Sequence, residues 1–292
     1  MSSQSVTAVL GASSLVGKSV IPMLTHAGHQ VLAYSRVARD DSRAEGVNWR
    51  MLQGSASSVK DPQVIASWLC LAPIWVLPHY FAMIEAHGAR RVVALSSTSR
   101  FTKTGSSESS DVAVAARLVD GEDQFKAWAI EKGIEWVILR PTMIYGRGQD
   151  KNLTEITRFI GRFSFFPLLD RATGLRQPIH VQDAALACMA ALSAPAAANR
   201  AYNIAGHEAL PYREMIERIF GALGRRPRLV RVPFPAFWLA LKCLRIFPKY
   251  RHWTVAMAQR MNKDMVFDCS EAKTDLGFSP RSFRFGPEDL PR

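Results

Sequence analysis

The stretch that decides the fold runs from residue 6 to residue 24 and reads Val6-Thr-Ala-Val-Leu-Gly-Ala-Ser-Ser-Leu-Val-Gly-Lys-Ser-Val-Ile-Pro-Met-Leu24. An apolar run that ends in glycine and continues in small residues predicts a buried strand, a tight turn and a helix. A helix N-terminus presents free backbone N–H groups, which bind phosphate when small residues allow close approach. Gly11 and Gly17 hold the first and last positions of a G-x-x-G-x-x-G spacing, with Ser14 between them. The stretch therefore predicts a dinucleotide-binding turn.

The tip of the second predicted strand decides how an adenosine ribose would be recognised. That strand, His29–Tyr34, is followed by Ser35 and Arg36, and no Asp or Glu stands at its tip. An acidic side chain there accepts hydrogen bonds from the ribose hydroxyls of NAD, whereas arginine pairs with the 2′-phosphate of NADP. Arg36, helped by Arg43, favours NADP, with NAD as the alternative. A solvated loop arginine is the structural explanation that competes with this one.

Further apolar runs alternate with helical periodicity up to Pro141, and the pattern becomes irregular beyond Tyr145. The additional strands are predicted at 47–52, 67–71, 91–95 and 134–141. This alternation predicts an α/β fold with a doubly wound parallel sheet. We expect a nucleotide-binding domain over 1–150, to which 176–205 returns, and a smaller mixed C-terminal substrate lobe from 151–175 and 206–292. Asp183 is predicted to be the N-cap of a helix over 184–193.

Composition excludes several classes of protein. Hydrophobic residues make up 48% of the 292 and charged residues 21%, as in ordinary globular enzymes. No apolar run approaches the ~18 residues that cross a bilayer, and no basic segment precedes the first strand, so a cytoplasmic protein is expected. The four cysteines are far apart and show no metal-ligand spacing, which predicts reduced thiols and no metal. A net charge of +12 favours anionic partners.

A run of hydroxyls, Ser96-Ser-Thr-Ser99, follows the strand 91–95. Ligands of open α/β sheets bind at the carboxyl ends of the strands, where this run lies. Ser97 and Thr98 are therefore candidate catalytic residues, although such clusters are often turn and cap residues. The polar segment Thr102–Ser110 is predicted to be a loop over the same edge.

Taken in order, several motifs resemble the extended and atypical short-chain dehydrogenase/reductases, specifically bacterial NAD-dependent epimerase/dehydratases of the nucleoside-diphosphate-sugar epimerase type. The resemblance covers nearly the whole chain. It rests on the Gly11–Gly17 turn, the hydroxyl run at 96–98, Leu139-Arg-Pro-Thr-Met-Ile-Tyr-Gly146, Arg176-Gln-Pro-Ile-His-Val-Gln-Asp183, Tyr202-Asn-Ile-Ala-Gly206 and the tail 266–280. Each motif alone is weak, whereas their order and spacing together are specific.

The resemblance implies a Rossmann fold and a set of site residues. The residues implied around the cofactor are Gly11, Ala12, Ser13, Ser14, Leu15 and Val16 at the pyrophosphate, Ser35 and Arg36 at the ribose phosphate, Leu71, Ala72 and Pro73 at the middle, Ser96 and Ser97 on the nicotinamide side, and Pro141, Thr142 and Met143 at the carboxamide. Arg176 is implied at the substrate diphosphate, with a structural arginine as the alternative. Lys103 and Tyr145 are further candidates for contact with the substrate.

One departure separates this chain from catalytic members of the family. Those enzymes use a tyrosine with a lysine four residues later on one helix face, because the ammonium lowers the phenol pKa for proton exchange. None of the six tyrosines here is followed by lysine at that spacing. Alignment on Glu122 places Val114 at the tyrosine position and Leu118 at the lysine position.

Three interpretations remain open. The first is an enzyme in which another group supplies the proton; the candidates are Thr98, Lys103, Asp111, Tyr145 and His180. The second is a non-catalytic NADP(H) sensor or scaffold. The third is a peripheral membrane protein with a lipid-linked substrate, suggested by the basic, aromatic segment 232–253, for which a helix over the cleft or a dimer surface is the structural alternative. We expect a small-molecule substrate, nucleotide-linked or lipid-linked, no nucleic acid, and a monomer or homodimer.

Overall fold

The computed structural model describes residues 5–37, 45–52, 63–244, 246 and 254–291. Its strands are β1 (Val6–Leu10), β2 (Gln30–Ser35), β3 (Val47–Met51), β4 (Ser67–Cys70), β5 (Arg91–Leu95), β6 (Glu135–Pro141), β7 (Ile144–Tyr145), β8 (Phe166–Leu169), β9 (Leu175–Arg176), β10 (Ile179–His180), β11 (Arg200–Ile204), β12 (Leu210–Pro211) and β13 (Leu229–Val232). Its α-helices are α1 (Gly17–His26), α2 (Phe81–Ala86), α3 (Ser99–Thr102), α4 (Ser109–Glu131), α5 (Leu153–Phe163), α6 (Val181–Ser193), α7 (Tyr212–Ala222), α8 (Phe234–Leu244), α9 (Val255–Arg260) and α10 (Ser270–Leu276).

Seven parallel strands form the main sheet in the order β3-β2-β1-β4-β5-β6-β11. Apolar strands such as β5, which is buried along its whole length, are typical of a sheet covered on both faces. The chain runs outward from β1 to β3 and then returns to β4 on the other side of β1. The predicted doubly wound sheet is confirmed, and the strand order reverses between β1 and β4, where such folds bind ligands.

Helices cover the two faces of the sheet with separate buried clusters. Val20 and Leu24 of α1 pack with Ala184 and Cys188 of α6 on one face. On the other face α4 packs beside a 3-10 helix at Ile74–Tyr80. Helix α10 lies within 206–292, which the predicted domain division assigns to the lobe. Its Ala272 and Leu276 nevertheless belong to the buried cluster formed by α1 and α6. The division itself stays a prediction.

A third buried cluster forms the C-terminal lobe. It joins α5, α7, α8 and α9 with the short strands β8 and β13, and its members include Phe159, Phe166, Ile219 and Phe237. The parallel pair β8–β13 and the antiparallel pair β9–β12 hold these helices together. The lobe thus has its own core beside the carboxyl edge of β6.

The predicted N-cap at Asp183 is wrong. Helix α6 begins at Val181, and the Nδ1 atom of His180 accepts a hydrogen bond from the Gln182 amide at 3.3 Å. Strand β10 ends at His180 and α6 begins at the next residue, so His180 occupies the N-cap position and Asp183 lies inside the first turn. Asp183 instead accepts hydrogen bonds from the backbone nitrogen and the Nε of Arg281, both at about 3.0 Å.

Candidate functional site

Two glycines set the shape of the turn after β1. Gly11 has a φ of +77°, and a Cβ atom built on it would lie 2.6 Å from the backbone nitrogen of Ala72. A Cβ atom on Gly17 would lie 2.3 Å from the carbonyl oxygen of Ala12. Neither distance leaves room for a side chain, and left-handed backbone favours glycine. The turn is therefore packed directly against the end of β4, at the reversal of strand order.

The amides of this turn fit a phosphate ligand. In the turn at residues 11–18, the backbone N–H groups of Ser13, Leu15 and Val16 have no hydrogen-bond acceptor among the residues that the structure describes. The hydroxyl of Ser14 accepts from the Gly17 amide at 3.0 Å and so caps the first turn of α1. Three unpaired donors at a helix N-terminus form an anion site, and the missing side chains of Gly11 and Gly17 permit close approach. The residues present therefore fit a dinucleotide pyrophosphate.

The predicted ribose residues lie at the end of β2. Ser35 is buried, and its hydroxyl accepts from the Val37 amide at 3.3 Å. Arg36 is exposed at the same edge of the sheet. Arg43 lies outside the described residues. The structure thus leaves the Arg36 guanidinium accessible to a ligand beside the β1–α1 turn.

The residues predicted along the rest of the cofactor lie at the carboxyl ends of β4 and β6. Leu71 is buried, Ala72 contacts the Gly11 turn, and Pro73 begins the 3-10 helix. After β6, the Thr142 hydroxyl donates to the carbonyl of Gln177, and the Met143 carbonyl accepts from Ile179. The carbonyl of Pro141 accepts from the backbone of Thr98. The fold therefore brings these predicted residues to one edge of the sheet.

The hydroxyl run after β5 is held by three different partners. Ser96 donates to Oε1 of Glu122 at 2.5 Å. The Ser97 hydroxyl accepts from the Ser99 amide at 3.1 Å, which leaves its own proton available. Thr98 is buried and donates its hydroxyl proton to the Pro141 carbonyl at 3.2 Å. Of these three groups, Ser97 is the one whose proton has no acceptor in the described part of the chain.

Glu122 is the centre of a buried charge cluster below the hydroxyl run. Its side chain has 0% exposure, and Arg140 contacts its carboxylate with Nε at 3.1 Å and Nη2 at 2.6 Å. Arg100 of α3 donates to Oε2 of Glu122, the oxygen that also accepts from Nη2 of Arg140. Two guanidinium groups face one carboxylate, so the cluster carries one excess positive charge. The Nε atom of Arg100 is buried with no partner among the described residues.

Arg100 and Arg140 were not predicted as site residues. Glu122 served only to align α4, although a buried carboxylate requires a cation in any fold. Arg140 stands in the Leu139-Arg-Pro-Thr motif, and that position was the signal available. Arg100 lies at the end of the hydroxyl run and carries no such signal.

Val114 and Leu118 lie on the sheet-facing side of α4. Leu118 is buried in the cluster beneath the sheet, and Val114 is partly buried against it. Neither side chain carries an ionisable group. Their assignment to the positions of the family's tyrosine and lysine stays a prediction.

Asp111, at the start of α4, joins the sheet domain to the lobe. Its carboxylate contacts Lys103 at 2.7 Å and Arg260 of α9 at 2.5 Å, and Ser106 donates to it at 3.0 Å. Burial acts to raise the pKa of Asp111, but the hydrogen bonds from Lys103 and Arg260 outweigh burial and lower the pKa to about 2. The predicted loop 102–110 is therefore tied to α4 and α9 through one carboxylate.

We expect Asp111→Asn to lower the free energy of unfolding by about 2 kcal/mol at neutral pH. A depressed pKa stabilises the fold above the unfolded-state value near 4, and this stabilisation is lost as pH falls towards 2. The difference between wild type and variant should therefore shrink between about pH 4 and pH 2, as measured by urea unfolding. Asp123→Asn, which removes an exposed carboxylate 3.4 Å from Lys126, is the control and should change stability by less than about 0.5 kcal/mol. A pH-independent difference for Asp111→Asn would contradict this account.

The residues predicted to contact substrate are held within the protein. Arg176 is buried, donates to the carbonyls of Leu175, Arg260 and Lys263, and lies over the Tyr212 ring. Tyr145 has no exposed surface, and its hydroxyl donates to the Arg284 carbonyl at 3.3 Å. Lys103 is paired with Asp111, as above. Their roles towards substrate stay predictions.

Two proton-transfer candidates, Tyr145 and His180, lie side by side in the protein interior. The pKa of Tyr145 is raised by burial, so its phenol stays protonated over the physiological range. His180 is buried against the Tyr145 ring, and its Nε2 lies 3.5 Å from Asp289. Burial acts to raise the pKa of Asp289, but hydrogen bonds from His180 and the backbone lower it. The polar atoms of Tyr145 and His180 therefore contact groups within the chain, the Arg284 carbonyl and the Asp289 carboxylate.

Comparison with known proteins agrees with this geometry. Residues 79–205 match the family model of the NAD dependent epimerase/dehydratase family. A 2-alkyl-3-oxoalkanoate reductase of Stenotrophomonas maltophilia (strain K279a) is 24% identical, over 94% of this chain and 94% of the reductase. A UDP-glucuronic acid 4-epimerase of Bacillus cereus, solved in complex with NAD, has a TM-score of 0.70 at 16% identity and covers 97% of this chain and 95% of the epimerase. The family match covers less than half of the chain, and the structural neighbour, at 16% identity, shows the Rossmann-like fold.

Another relative matches this chain over a shorter region. The mitochondrial NADH dehydrogenase [ubiquinone] 1 alpha subcomplex subunit 9 of Arabidopsis thaliana is 30% identical over 102 residues. That region is 35% of this chain, and the chain spans only 25% of the length of the Arabidopsis protein. The family model matches residues 79–205 and does not include the Gly11–Gly17 turn. The evidence for a cofactor site at that turn is therefore the geometry of the turn itself.

The described residues were compared with the requirements of a metal site and of a membrane-spanning helix. No group of three or more His, Cys, Asp or Glu side chains in the described ranges is arranged to hold a metal ion. None of the helices in the part of the chain that the structure covers is both long and apolar enough to cross a membrane.

Proposed function

We propose that the chain binds NADP(H) in the crevice between β1 and β4 and acts as an epimerase/dehydratase-type oxidoreductase. The observation that carries the proposal is the set of three unpaired amides at Ser13, Leu15 and Val16, packed by Gly11 against the end of β4. When bound, the nicotinamide supplies hydride transfer. The residues of the chain bind and orient the cofactor, and they hold the proton that accompanies the hydride.

Preference for NADP over NAD rests on Arg36. Its side chain is exposed at the end of β2, and no carboxylate stands in the Ser35-Arg-Val37 tip to accept from free ribose hydroxyls. Guanidinium and phosphate form paired, charge-assisted hydrogen bonds, which an NAD ribose does not offer. NAD remains the alternative because the B. cereus epimerase was solved with NAD.

Ser97 is the group we propose as proton donor to a substrate oxygen. The Ser97 hydroxyl accepts a hydrogen bond from the Ser99 amide, and its own proton has no acceptor among the described residues. The Thr98 hydroxyl, by contrast, already donates a hydrogen bond to the Pro141 carbonyl. Hydrogen-bond donors aimed at a developing oxyanion accelerate such reactions. The partly buried guanidinium groups of Arg100 and Arg140 provide positive charge beside the same hydroxyl run.

The substrate class remains a proposal. The reductase that aligns with 94% of the chain is named for an alkyl-substituted oxoalkanoate, an amphipathic carbonyl compound. The B. cereus structural neighbour is named for a nucleotide sugar. We favour a small carbonyl or hydroxyl compound carried on a nucleotide or an apolar group.

A non-catalytic NADP(H)-binding protein is the second candidate, favoured by the absence of any tyrosine followed by lysine at the family's spacing. Absorbance of the reduced nicotinamide separates the two candidates. Turnover with any member of a panel of 3-oxoacids, ketones, quinones and nucleotide sugars supports the enzyme. Tight NADPH binding without turnover across the panel supports the binding protein.

We expect Arg36→Glu to weaken NADPH binding by more than about tenfold, since a charge-assisted pair is replaced by repulsion. The change in NADH affinity should be below about threefold, because NADH lacks the 2′-phosphate. Fluorescence titration of both nucleotides measures the two constants.

The control for Arg36→Glu is Arg90→Glu, an exposed arginine at the opposite edge of the sheet, just before β5. It makes the same change in net charge and should leave both affinities within about twofold. Equal weakening of NADPH by the two variants would show that Arg36 acts only through net charge.

A further inference from the structure

Nearly all of the net charge lies in one segment of the lobe. Residues 218–263 contain eleven Lys and Arg residues and no Asp or Glu, whereas the rest of the chain holds 26 basic and 25 acidic residues. Arg218 and Arg260 in this segment are paired with carboxylates from other parts of the chain. Arg226, Arg228 and Arg231 are exposed. The sheet domain is therefore close to neutral, and the lobe presents a cationic surface.

Helix α8 exposes apolar side chains next to these arginines. Phe237 on its inner side is buried in the lobe core. On its outer side Phe234 is 46%, Trp238 42% and Leu239 58% exposed. A surface helix of a globular protein normally carries polar residues on its outer face. No polar residue occurs between Pro233 and Leu241, so α8 has no such face there.

A second apolar segment lies along the same part of the lobe. Helix α5 ends at Phe163, Ser164 takes a left-handed φ of 61°, and Phe163 and Phe165 on either side of it are exposed. The strand that follows, β8, pairs in parallel with β13, which leads into α8. Arg225 fixes this arrangement by donating to the Ile160 carbonyl and the Ser164 hydroxyl, both at 2.9 Å. We call this combined surface, residues 163–165, 225–231 and 234–239, the lobe face.

We propose that the lobe face binds the surface of a bilayer that contains anionic phospholipid. Aromatic and aliphatic side chains enter the boundary between headgroups and acyl chains, and cations nearby attract anionic headgroups. The lobe face supplies both, from segments about sixty residues apart. The proposal goes beyond the proposed function, which concerns the cleft, and it extends the segment 232–253 predicted from sequence to the turn after α5.

Two other occupants fit the lobe face less well. A second copy of the chain would bring two strongly cationic segments together in a two-fold interface, where like charges repel. A nucleic acid would pair with the arginines, but it would leave the exposed apolar surface of Phe234, Leu239 and the phenylalanines of the α5–β8 turn in water. An anionic lipid surface satisfies both sets of side chains.

The test uses the full chain and sedimentation with vesicles. One set is phosphatidylcholine alone, and the other contains phosphatidylglycerol as about one third of the lipid. We expect at least about tenfold tighter binding to the anionic vesicles, weakening as salt is raised. Leu239→Ser and Arg226→Glu should each weaken this binding by about threefold or more.

Matched controls lie on the sheet domain. Ile130→Ser removes an apolar side chain that is 68% exposed on α4, and Arg90→Glu reverses an exposed charge before β5. Both should leave vesicle binding unchanged. NADPH affinity, measured for every variant, shows that the fold and the cleft are intact, so that failure here is distinguished from failure of the proposed function.

Three results would overturn the proposal. One is equal sedimentation with the two kinds of vesicle. Another is anionic-vesicle binding that Leu239→Ser and Arg226→Glu leave unchanged. The third is preference for duplex DNA over anionic vesicles, or dimerisation without lipid that Leu239→Ser abolishes, because either would assign the lobe face to a different partner.

Discussion

Gly11→Ala is expected to abolish NADPH binding and to lower the free energy of unfolding by about 2–5 kcal/mol. Left-handed backbone costs an L-residue about 1–2 kcal/mol, and overpacking adds roughly 1–3 kcal/mol. The added methyl group would meet the Ala72 backbone nitrogen at 2.6 Å and the Leu71 carbonyl carbon at 2.9 Å. Backbone at the end of a central strand cannot move aside without displacing β4. The turn that presents the three unpaired amides should therefore shift away from β4.

Gly28→Ala separates the two costs in this prediction. Gly28 has a φ of +83°, close to that of Gly11, but no atom lies within 4 Å of the position its Cβ would take. The control should lose only the conformational cost of about 1–2 kcal/mol and bind NADPH normally. Urea unfolding and nucleotide titration measure both quantities. If the two variants behaved alike, close packing against Ala72 would not be what shapes the site.

Glu122→Gln is the second substitution with a large expected effect, a loss of about 3–5 kcal/mol of stability. The variant leaves the guanidinium groups of Arg100 and Arg140, whose side chains are only 16% and 13% exposed, without a counter-charge. It also weakens the acceptor of the Ser96 hydroxyl, so the strand-end hydroxyl run should lose order together with stability. Since this run lies beside the proposed nicotinamide site, turnover should fall more than NADPH affinity, which depends on the distant Gly11 turn.

The control for Glu122→Gln is Glu131→Gln on the same helix. Glu131 is exposed and contacts Lys132 at 3.3 Å, and exposed pairs contribute little to stability. Its loss should stay below about 0.5 kcal/mol. A similarly small loss for Glu122→Gln, measured by urea unfolding, would mean that the buried cluster is not needed to hold α3, α4 and β6 together.

Local pattern was enough to predict the sheet. The apolar runs of β1, β5 and β6 directly indicate buried strands, and the glycines at 11 and 17 indicate a close turn. The 3-10 helix at Ile74–Tyr80 was missed because Pro73 and Pro78 obscure helical periodicity. The Asp183 cap was wrong because an N-cap depends on where the chain leaves β10, which composition does not reveal.

The charged parts of the site could not be predicted in the same way. Asp111 meets Arg260 across 149 residues of sequence, and Arg100 meets Glu122 across 22. Such pairs depend on how helices pack after the fold has formed, and no local pattern encodes them. For the same reason Arg176, Tyr145 and Lys103 could be placed near the cleft from the family resemblance, but their partners within the chain could not.

The most direct test of the proposed cofactor site is titration of the wild-type chain with NADPH and with NADH, monitored by the fluorescence of the reduced nicotinamide. We predict saturable binding of NADPH that is tighter than the binding of NADH. NADPH binding should be lost in Gly11→Ala but not in Gly28→Ala. Equal and negligible affinity for both nucleotides would contradict the assignment of the β1–β4 crevice as a cofactor site.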